Sequence, residues 1–366
     1  MLRAHTAKRL LQNVISPDQY DFWAREMGSI TAWERCFARV ISCKEEAQDT
    51  VSLTLRPNGN FPGYDAGQHM NLSATIGGRR ITRSYSFTSS PDQPGLVSVT
   101  VRRDPQGAMS DWLCREARPG AVLEINGVFG DMTLAQIQPE SEDHMVLLAA
   151  GSGITPFISL IRARLTQSPA AKVTLLYWER SPEYFCFNAE LDALTRQYPN
   201  LVLHRLTTQS PMDGKSVSGR VDAEQLNDLL GSEVVDKHAQ PLAFICGGAG
   251  FVQSARALMA DRARQIFAEA FSPLKAAPTV EKAETHSVTL LHSQRVLQVS
   301  NQETLLDALE RQGVAVESGC RMGICNTCSC ATAAGRTRDI TTGQFHSGQA
   351  TRLCVSQAVS NLQLDL

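Results

Sequence analysis

Apolar positions change their spacing three times along this chain. From Cys36 to Leu134 they alternate with polar ones, which predicts strands at Cys36–Ser42, Thr50–Leu55, Gln68–Leu72, Ile81–Thr88, Leu96–Arg103 and Ala121–Ile125. A period of two sends successive side chains to opposite faces, so each strand is half-buried. Turn residues such as Pro57-Asn-Gly and Ser89-Ser-Pro-Asp separate them. Short strands with no long helix between them predict an antiparallel barrel. From His144 the pattern changes to continuous apolar runs: Met145–Ala150, Lys172–Trp178, Leu201–Thr207 and Leu242–Cys246. Helical spacing lies between and after them, in an apolar helix reaching Leu165 and at Asn188–Arg196, Asp222–Leu230 and Gly250–Ala268. Strands alternating with helices predict βαβ units and a parallel sheet with right-handed crossovers.

Residues 272–284 carry two prolines and no apolar periodicity, and read as a linker. Strands at 287–291 and 295–299, a helix at 302–311, a cysteine-rich loop and short strands to Leu366 follow. The predicted architecture is multidomain α/β plus β. Its parts are a leading segment (1–33), an antiparallel barrel (34–138), a parallel α/β domain (139–271), the linker and a β-grasp domain (285–366). In the leading segment Leu2, Leu10, Leu11, Val14 and Ile15 alternate with Arg3, Lys8 and Arg9, ahead of Asp18-Gln-Tyr-Asp-Phe-Trp. The first expectation is a helix packed on the barrel. Peripheral contact with a membrane surface is the second, and a transit peptide the third.

Ten cysteines change the picture more than overall composition does. Half lie singly in apolar stretches (Cys36, Cys43, Cys114, Cys186, Cys246), as suits a reducing cytosol. The rest include Cys320, Cys325 and Cys328, with Cys354 later in the chain. This is the C-x4-C-x2-C…C spacing of a plant-type 2Fe–2S cluster, whose two irons need four thiolates. Gly319 and Gly323 allow φ > 0 in the tight loop, and Asn326 is the next-best residue for it. Zinc is the competing reading, but structural zinc sites pair C-x2-C knuckles and only one is present. A disulfide set is weaker still, with an odd number of cysteines in this segment. Cys330, two positions past Cys328, reads as a packed thiol on a strand. The net charge of −2, without a long basic run, excludes a nucleic-acid partner. The most apolar window, Met145 to Ile161, is broken by Gly151, Gly153 and Pro156 and does not read as a membrane span.

Arg83-Ser-Tyr-Ser86 lies on a predicted barrel strand with Arg83 and Tyr85 on one face. It resembles the R-x-Y-S signature of the ferredoxin–NADP reductase superfamily. The resemblance implies that Arg83 meets a flavin pyrophosphate, Tyr85 packs on the isoalloxazine and Ser86 lies near the reactive nitrogen. The strand carrying Val101 and Arg102, then Gly107-Ala-Met109-Ser110 opening a helix, is similar to the family's second flavin-phosphate segment, with Ser110 at or near the helix cap. FAD is expected over FMN. Gly151-Ser-Gly153-Ile154-Thr155-Pro156 resembles the family's nicotinamide-dinucleotide loop, and Cys246-Gly247-Gly248 the segment placing a cysteine beside the nicotinamide. Ser86 and Cys246 are thus the expected catalytic pair. Arg180 and Ser181, after the second strand of the α/β domain, suit a 2′-phosphate, whereas Glu179 suits a free 2′-hydroxyl. NADPH is expected ahead of NADH.

The resemblance covers residues 36 to 366. It implies that electrons pass from NAD(P)H through FAD and the cluster to an external oxygenase or desaturase component. The leading segment, Asp21-Phe-Trp before Thr31-Ala-Trp-Glu, looks most like desaturase partners, so a membrane fatty-acyl desaturase or hydroxylase is the first expected acceptor. A soluble oxygenase acting on aromatic, steroid or quaternary-amine substrates is the alternative. A non-catalytic 2Fe–2S redox sensor is the alternative from another class. The expected location is cytoplasmic, peripheral to a membrane on the desaturase reading.

Overall fold

The structure is a computed structural model that describes residues 16–93, 95–212, 218–230, 240–272, 283–316, 318–319, 321, 323, 326–341, 343–348 and 350–366. Cys320, Cys325, residues 1–15 of the leading segment and most of the expected linker lie outside the described residues. The chain divides into two compact units. The first ends at Gly247 and resumes from Phe251 to Glu269, and the second comprises Gly248–Gly250 and Ala270–Leu366.

In the first unit the alternating stretch forms β1 (Cys36–Ala47), β2 (Thr50–Pro57), β3 (His69–Ile76), β4 (Arg79–Ser86), β5 (Val97–Arg102) and β6 (Val122–Phe129). They make one sheet in the order β4-β3-β6-β1-β2-β5. An antiparallel bridge from Phe87 to Val99 joins the end of β4 back to β5. Every expected strand exists, and most run longer than the alternation alone suggests. Leu53, Leu55, Met70, Leu72, Phe87 and Leu123 fill the barrel. The helix Ala108–Arg115 adds Met109 and Leu113 to the same core.

The helix Pro17–Glu26 starts at an N-cap, Ser16, whose side chain accepts from the Gln19 N–H. It docks through Asp21, which is 1% exposed and accepts the main-chain N–H groups of Trp33, Glu34 and Arg35. Tyr20 meets Trp33 edge-on at 5.7 Å. A helix thus packs at the end of the leading segment, whereas Leu2–Ile15, which carry the basic amphipathic pattern, lie outside the described residues. Its other face is bare: Phe22, Trp23 and Met27 are 46%, 62% and 77% exposed.

The α/β part contains β7 (Met145–Ala150), β8 (Val173–Glu179), β9 (Leu201–Thr207), β10 (Leu242–Gly247) and β11 (Gln265–Ala270), in the order β11-β10-β7-β8-β9. The pairs β10–β7, β7–β8 and β8–β9 are parallel. Every residue of β8 is buried, as expected of a sheet covered on both faces. One expectation fails here. The helix expected over Gly250–Ala268 stops at Met259, and β11 follows. The residues Gln265-Ile-Phe-Ala-Glu-Ala extend because the turn after Met259 breaks the helix and aromatic and β-branched side chains follow.

The second unit pairs β12 (Thr285–Leu290) with β13 (Val296–Ser300), places the helix Leu305–Arg311 after them, and continues through β14 (Ser329–Ala334), β15 (Arg336–Asp339), β16 (Phe345–Ser347), β17 (Ala350–Arg352), β18 (Ser356–Ala358) and β19 (Leu362–Leu364). A sheet ordered β13-β12-β19-β14-β17 carries the helix against it, as in a β-grasp domain. The parallel pair β12–β19 makes this sheet mixed. Among the described residues no helix is long and apolar enough to cross a membrane.

Candidate functional site

On β4, Arg83 pairs with Leu72, Tyr85 with Met70 and Ser86 with His69. Tyr85 leans on the barrel core, and burial raises its phenol pKa against the pull of Arg83. Arg83 is exposed and donates to its neighbour's carbonyl, Thr82 O, at 2.8 Å. Ser86 is buried, and its Oγ has no hydrogen-bond partner among the described residues. An orphaned hydroxyl beside an aromatic wall and an exposed guanidinium fits a flavin with its phosphates.

The second phosphate segment differs from expectation in its side chains. Val101 and Met109 are both 1% exposed and belong to the barrel core, so only their main-chain atoms remain for a ligand. Gly107 is the N-cap of the helix Ala108–Arg115, with no side-chain cap bond. Ser110 lies in the first turn, donates to Gly107 O at 3.1 Å and accepts from the Asp104 N–H at 3.2 Å. It therefore shapes the loop that leads into the helix. Arg102 is the larger departure. Its guanidinium forms a two-pronged pair with Glu179, Nη1 to Oε2 at 3.1 Å, and also donates to Tyr184 O. Burial opposes its charge, yet the bond to Glu179 outweighs this and raises its pKa.

That pair decides the adenosine end as well. Glu179 is 3% exposed and also accepts from the Tyr177 hydroxyl at 3.2 Å. Ser181 is engaged too, donating to Glu183 at 2.7 Å. Arg180 is exposed, its guanidinium 4.5 Å from the centroid of the Tyr184 ring.

The nucleotide loop is a 3-10 turn, Gly151–Gly153, between β7 and the helix Ile154–Gln167. The parallel register sets Cys246 beside Ala149, and Ala150 beside Trp178, so the carboxyl ends of β7, β8 and β10 share one sheet edge. Gly151 has φ +62°, which suits glycine. A Cβ on Gly153 would lie 2.0 Å from Cys246 O, so loop and strand end touch backbone to backbone. This leaves a cradle without side chains, as a pyrophosphate needs. Ile154, Thr155 and Pro156 are buried. Thr155 donates to Ser152 O at 2.8 Å, which steadies the turn. The Cys246 thiol is fully buried, and burial, then the Glu269 charge, raises its pKa well above the usual thiol range. Gly247 is buried beside it, and Gly248 is exposed and falls in the second unit.

Sequence reasoning missed Glu269. It stands on β11, one residue past the stretch read as helix, is buried, and has its carboxyl pKa pushed up to about 7 by that burial. Its Oε1 lies 3.3 Å from His69 Nδ1, and His69 is the strand partner of Ser86. A buried carboxyl beside His69, on the strand next to the one that carries Cys246, is a group able to hold a proton there. The one signal in the sequence was a lone acid directly after the apolar run Ile266-Phe-Ala.

In the second unit Cys328 and Cys354 are each 4% exposed within the domain core. The Leu353 N–H donates to Cys328 O, which joins the two segments that carry them. The Gly323 N–H donates to Cys354 Sγ at 3.2 Å, the amide-to-sulfur contact that stabilises a thiolate ligand. Arg321, Gly323 and Asn326 all have positive φ, the last two as expected from the sequence. These features fit a 2Fe–2S centre. Cys330 sits on β14 opposite Thr351, and burial pushes its thiol up to about 12.

Comparison with known proteins agrees with this geometry. Residues 38–134 match the oxidoreductase FAD-binding domain, 147–257 the oxidoreductase NAD-binding domain and 288–359 the 2Fe-2S iron-sulfur cluster binding domain. An NADPH oxidoreductase of Mycobacterium tuberculosis is 28% identical over 99% of this chain and 92% of its own length. The ferredoxin reductase component of a 3-ketosteroid-9-alpha-monooxygenase from Rhodococcus rhodochrous is 32% identical over 80% of this chain and 84% of its own. Phthalate dioxygenase reductase, at 22% identity, shares the fold, with a TM-score of 0.58 over 91% of this chain and 98% of that one. FAD, NAD(P)H and a 2Fe–2S cluster are accordingly the cofactors, and the chain belongs to the ferredoxin–NADP reductase superfamily, among the oxygenase reductases that carry a C-terminal 2Fe–2S domain.

Proposed function

We propose that this chain is the reductase component of a multicomponent oxygenase, taking electrons from NADPH and passing them to a separate oxygenase protein. The observation that carries the reading is the order of a flavin barrel, a nucleotide-binding sheet and a cysteine-loop domain in one chain. When bound, the cofactors supply the redox chemistry, a two-electron hydride acceptor followed by a one-electron carrier. The protein's part is placement. Arg83 takes the flavin pyrophosphate together with the main-chain N–H groups of residues 107–110, and Tyr85 walls the ring. Ser86 donates its unused hydroxyl to the ring's reactive edge. The Gly151–Gly153 turn and Cys246-Gly247-Gly248 seat the nicotinamide half of the dinucleotide. Glu269, with His69, holds a proton next to the Cys246 strand end. Cys320, Cys325, Cys328 and Cys354 hold the irons.

NADPH is favoured over NADH because Arg102 and Tyr177 already occupy Glu179, leaving the exposed Arg180 to meet a 2′-phosphate. Arg180→Gln is expected to lower kcat/KM for NADPH by about tenfold, the cost of one charge-assisted contact, while leaving NADH nearly unchanged. Equal losses with both nucleotides would refute the assignment.

A membrane-bound desaturase or hydroxylase as acceptor is the second reading. It is supported by the bare face of Phe22, Trp23 and Met27, since aromatic and apolar side chains on a helix suit the lipid interface. The oxygenase reductase among the relatives supports the first reading instead. Flotation with anionic vesicles separates them. On the membrane reading the full chain floats and a Trp23→Ser/Met27→Ser variant does not; if neither floats, only the soluble acceptor stands.

A further inference from the structure

Gly323 lies in the sequence between Cys320 and Cys325, and three contacts fix it. Its N–H reaches Cys354 Sγ. Its φ is +75°, and a Cβ there would meet Val355 Cγ2 at 2.8 Å. Its carbonyl accepts from Arg352 Nη1 at 2.6 Å. The same guanidinium donates through Nη2 to Asp339 Oδ2 at 2.7 Å. Asp339 ends β15, is 2% exposed, and is steadied in turn by the Thr341 N–H on its other oxygen at 2.7 Å. Its neighbour Ile340 donates its N–H to Val355 O at 2.8 Å, in the turn that holds Cys354. Arg352 itself ends β17, opposite Ser329 and two residues before Cys354.

We propose that Arg352 is a positioning residue for the iron–sulfur centre: its fork ties the carbonyl of Gly323 to the buried Asp339 and so keeps the Gly323 N–H on the sulfur of Cys354. This rests on the assignment of Cys320, Cys325, Cys328 and Cys354 as ligands. The fork matters because two acceptors on different segments must be met at once by one rigid planar group, which a lysine ammonium cannot reproduce. Outer contacts of this kind commonly change metal affinity by about tenfold to a hundredfold. A second consequence follows from charge. The cluster gains negative charge on reduction, so a nearby cation favours the reduced state and a nearby carboxylate opposes it.

The test uses the full holoprotein, with iron and sulfide content, flavin content, the rate of cluster loss to a chelator, and the cluster midpoint potential as readouts. Wild-type protein lacking iron and sulfide after anaerobic reconstitution would refute the ligand assignment itself. Given a loaded wild type, Arg352→Gln is expected to lose its cluster about tenfold to a hundredfold faster and to have a lower potential. Asp339→Asn is expected to lose it faster as well, but with a higher potential. Arg352→Lys keeps the charge without the fork, so it should retain most of the potential and lose the cluster faster. Opposite potential shifts with a shared loss of retention are not produced by general destabilisation. If Arg352→Gln takes up no cluster, the lysine variant decides. Wild-type retention in Arg352→Lys, or wild-type retention and potential in Arg352→Gln, would overturn the proposal.

Discussion

Replacing Cys354 with serine is expected to bring NADPH-driven reduction of cytochrome c to background while ferricyanide reduction continues. Cys354 sits in the 3-10 turn Leu353–Val355, packed into the domain core with 4% exposure and its sulfur facing the Gly323 N–H. Serine fits the space, so the fold of the second unit is retained. Its hydroxyl is a poor substitute for a thiolate, because iron–sulfur centres select soft, ionised sulfur. The flavin segments, the Gly151–Gly153 turn and Cys246 lie in the other compact unit, so hydride transfer to the flavin is expected to continue. Ferricyanide accepts electrons from the flavin directly, whereas cytochrome c reports the one-electron carrier. Parallel assays with both acceptors check this, alongside iron content per chain. Loss of both activities together would contradict the relay.

How far the sequence carried the reading depends on the range of each interaction. The alternation of β1 to β6 and the apolar runs of β7 to β10 are local patterns, and each strand appears where its pattern predicts. The positive φ of Asn326 was legible for the same reason, since the tight turn and the residue type are neighbours. β11 was not, because Ala255, Ala257, Leu258 and Met259 carry helical spacing up to the break, and nothing nearby announces that Gln265–Ala270 joins a sheet edge. With that strand went Glu269. The partner of Arg102 was hidden for a different reason. On its strand this arginine looks like a phosphate ligand, and only folding brings it to Glu179, 77 residues away, in another part of the unit. The pairs His69–Glu269 and Arg352–Asp339 are of the same kind. Ion pairs between distant segments leave no periodicity to read.

Gly153→Ala is expected to slow flavin reduction by NADPH about a hundredfold, because a misplacement of an ångström at a reacting centre has that effect. The conformation at Gly153 is helical, with φ −60°, so alanine meets no dihedral penalty. The obstacle is contact: the new Cβ would lie 2.0 Å from Cys246 O, 2.4 Å from its carbonyl carbon and 2.8 Å from Gly247 N. All three are main-chain atoms and cannot swing aside. The turn must then separate from the strand end, costing on the order of 1–3 kcal/mol as other overpacked sites do and moving the two halves of the nucleotide site apart. Gly151→Ala is the control. Its φ of +62° costs about 1–2 kcal/mol in strain, but the nearest atom is Arg102 Nη1, a side-chain atom at 3.1 Å rather than main chain at 2.0 Å. Stability should therefore fall in both variants, and hydride transfer should fall much further in Gly153→Ala. Stopped-flow bleaching of the flavin by NADPH, compared with reduction by dithionite, measures this difference. Dithionite needs no nucleotide site and should reduce both variants at the wild-type rate. NADPH reduction as fast in Gly153→Ala as in Gly151→Ala would mean that close contact between the Gly151–Gly153 turn and Cys246 does not position the nicotinamide.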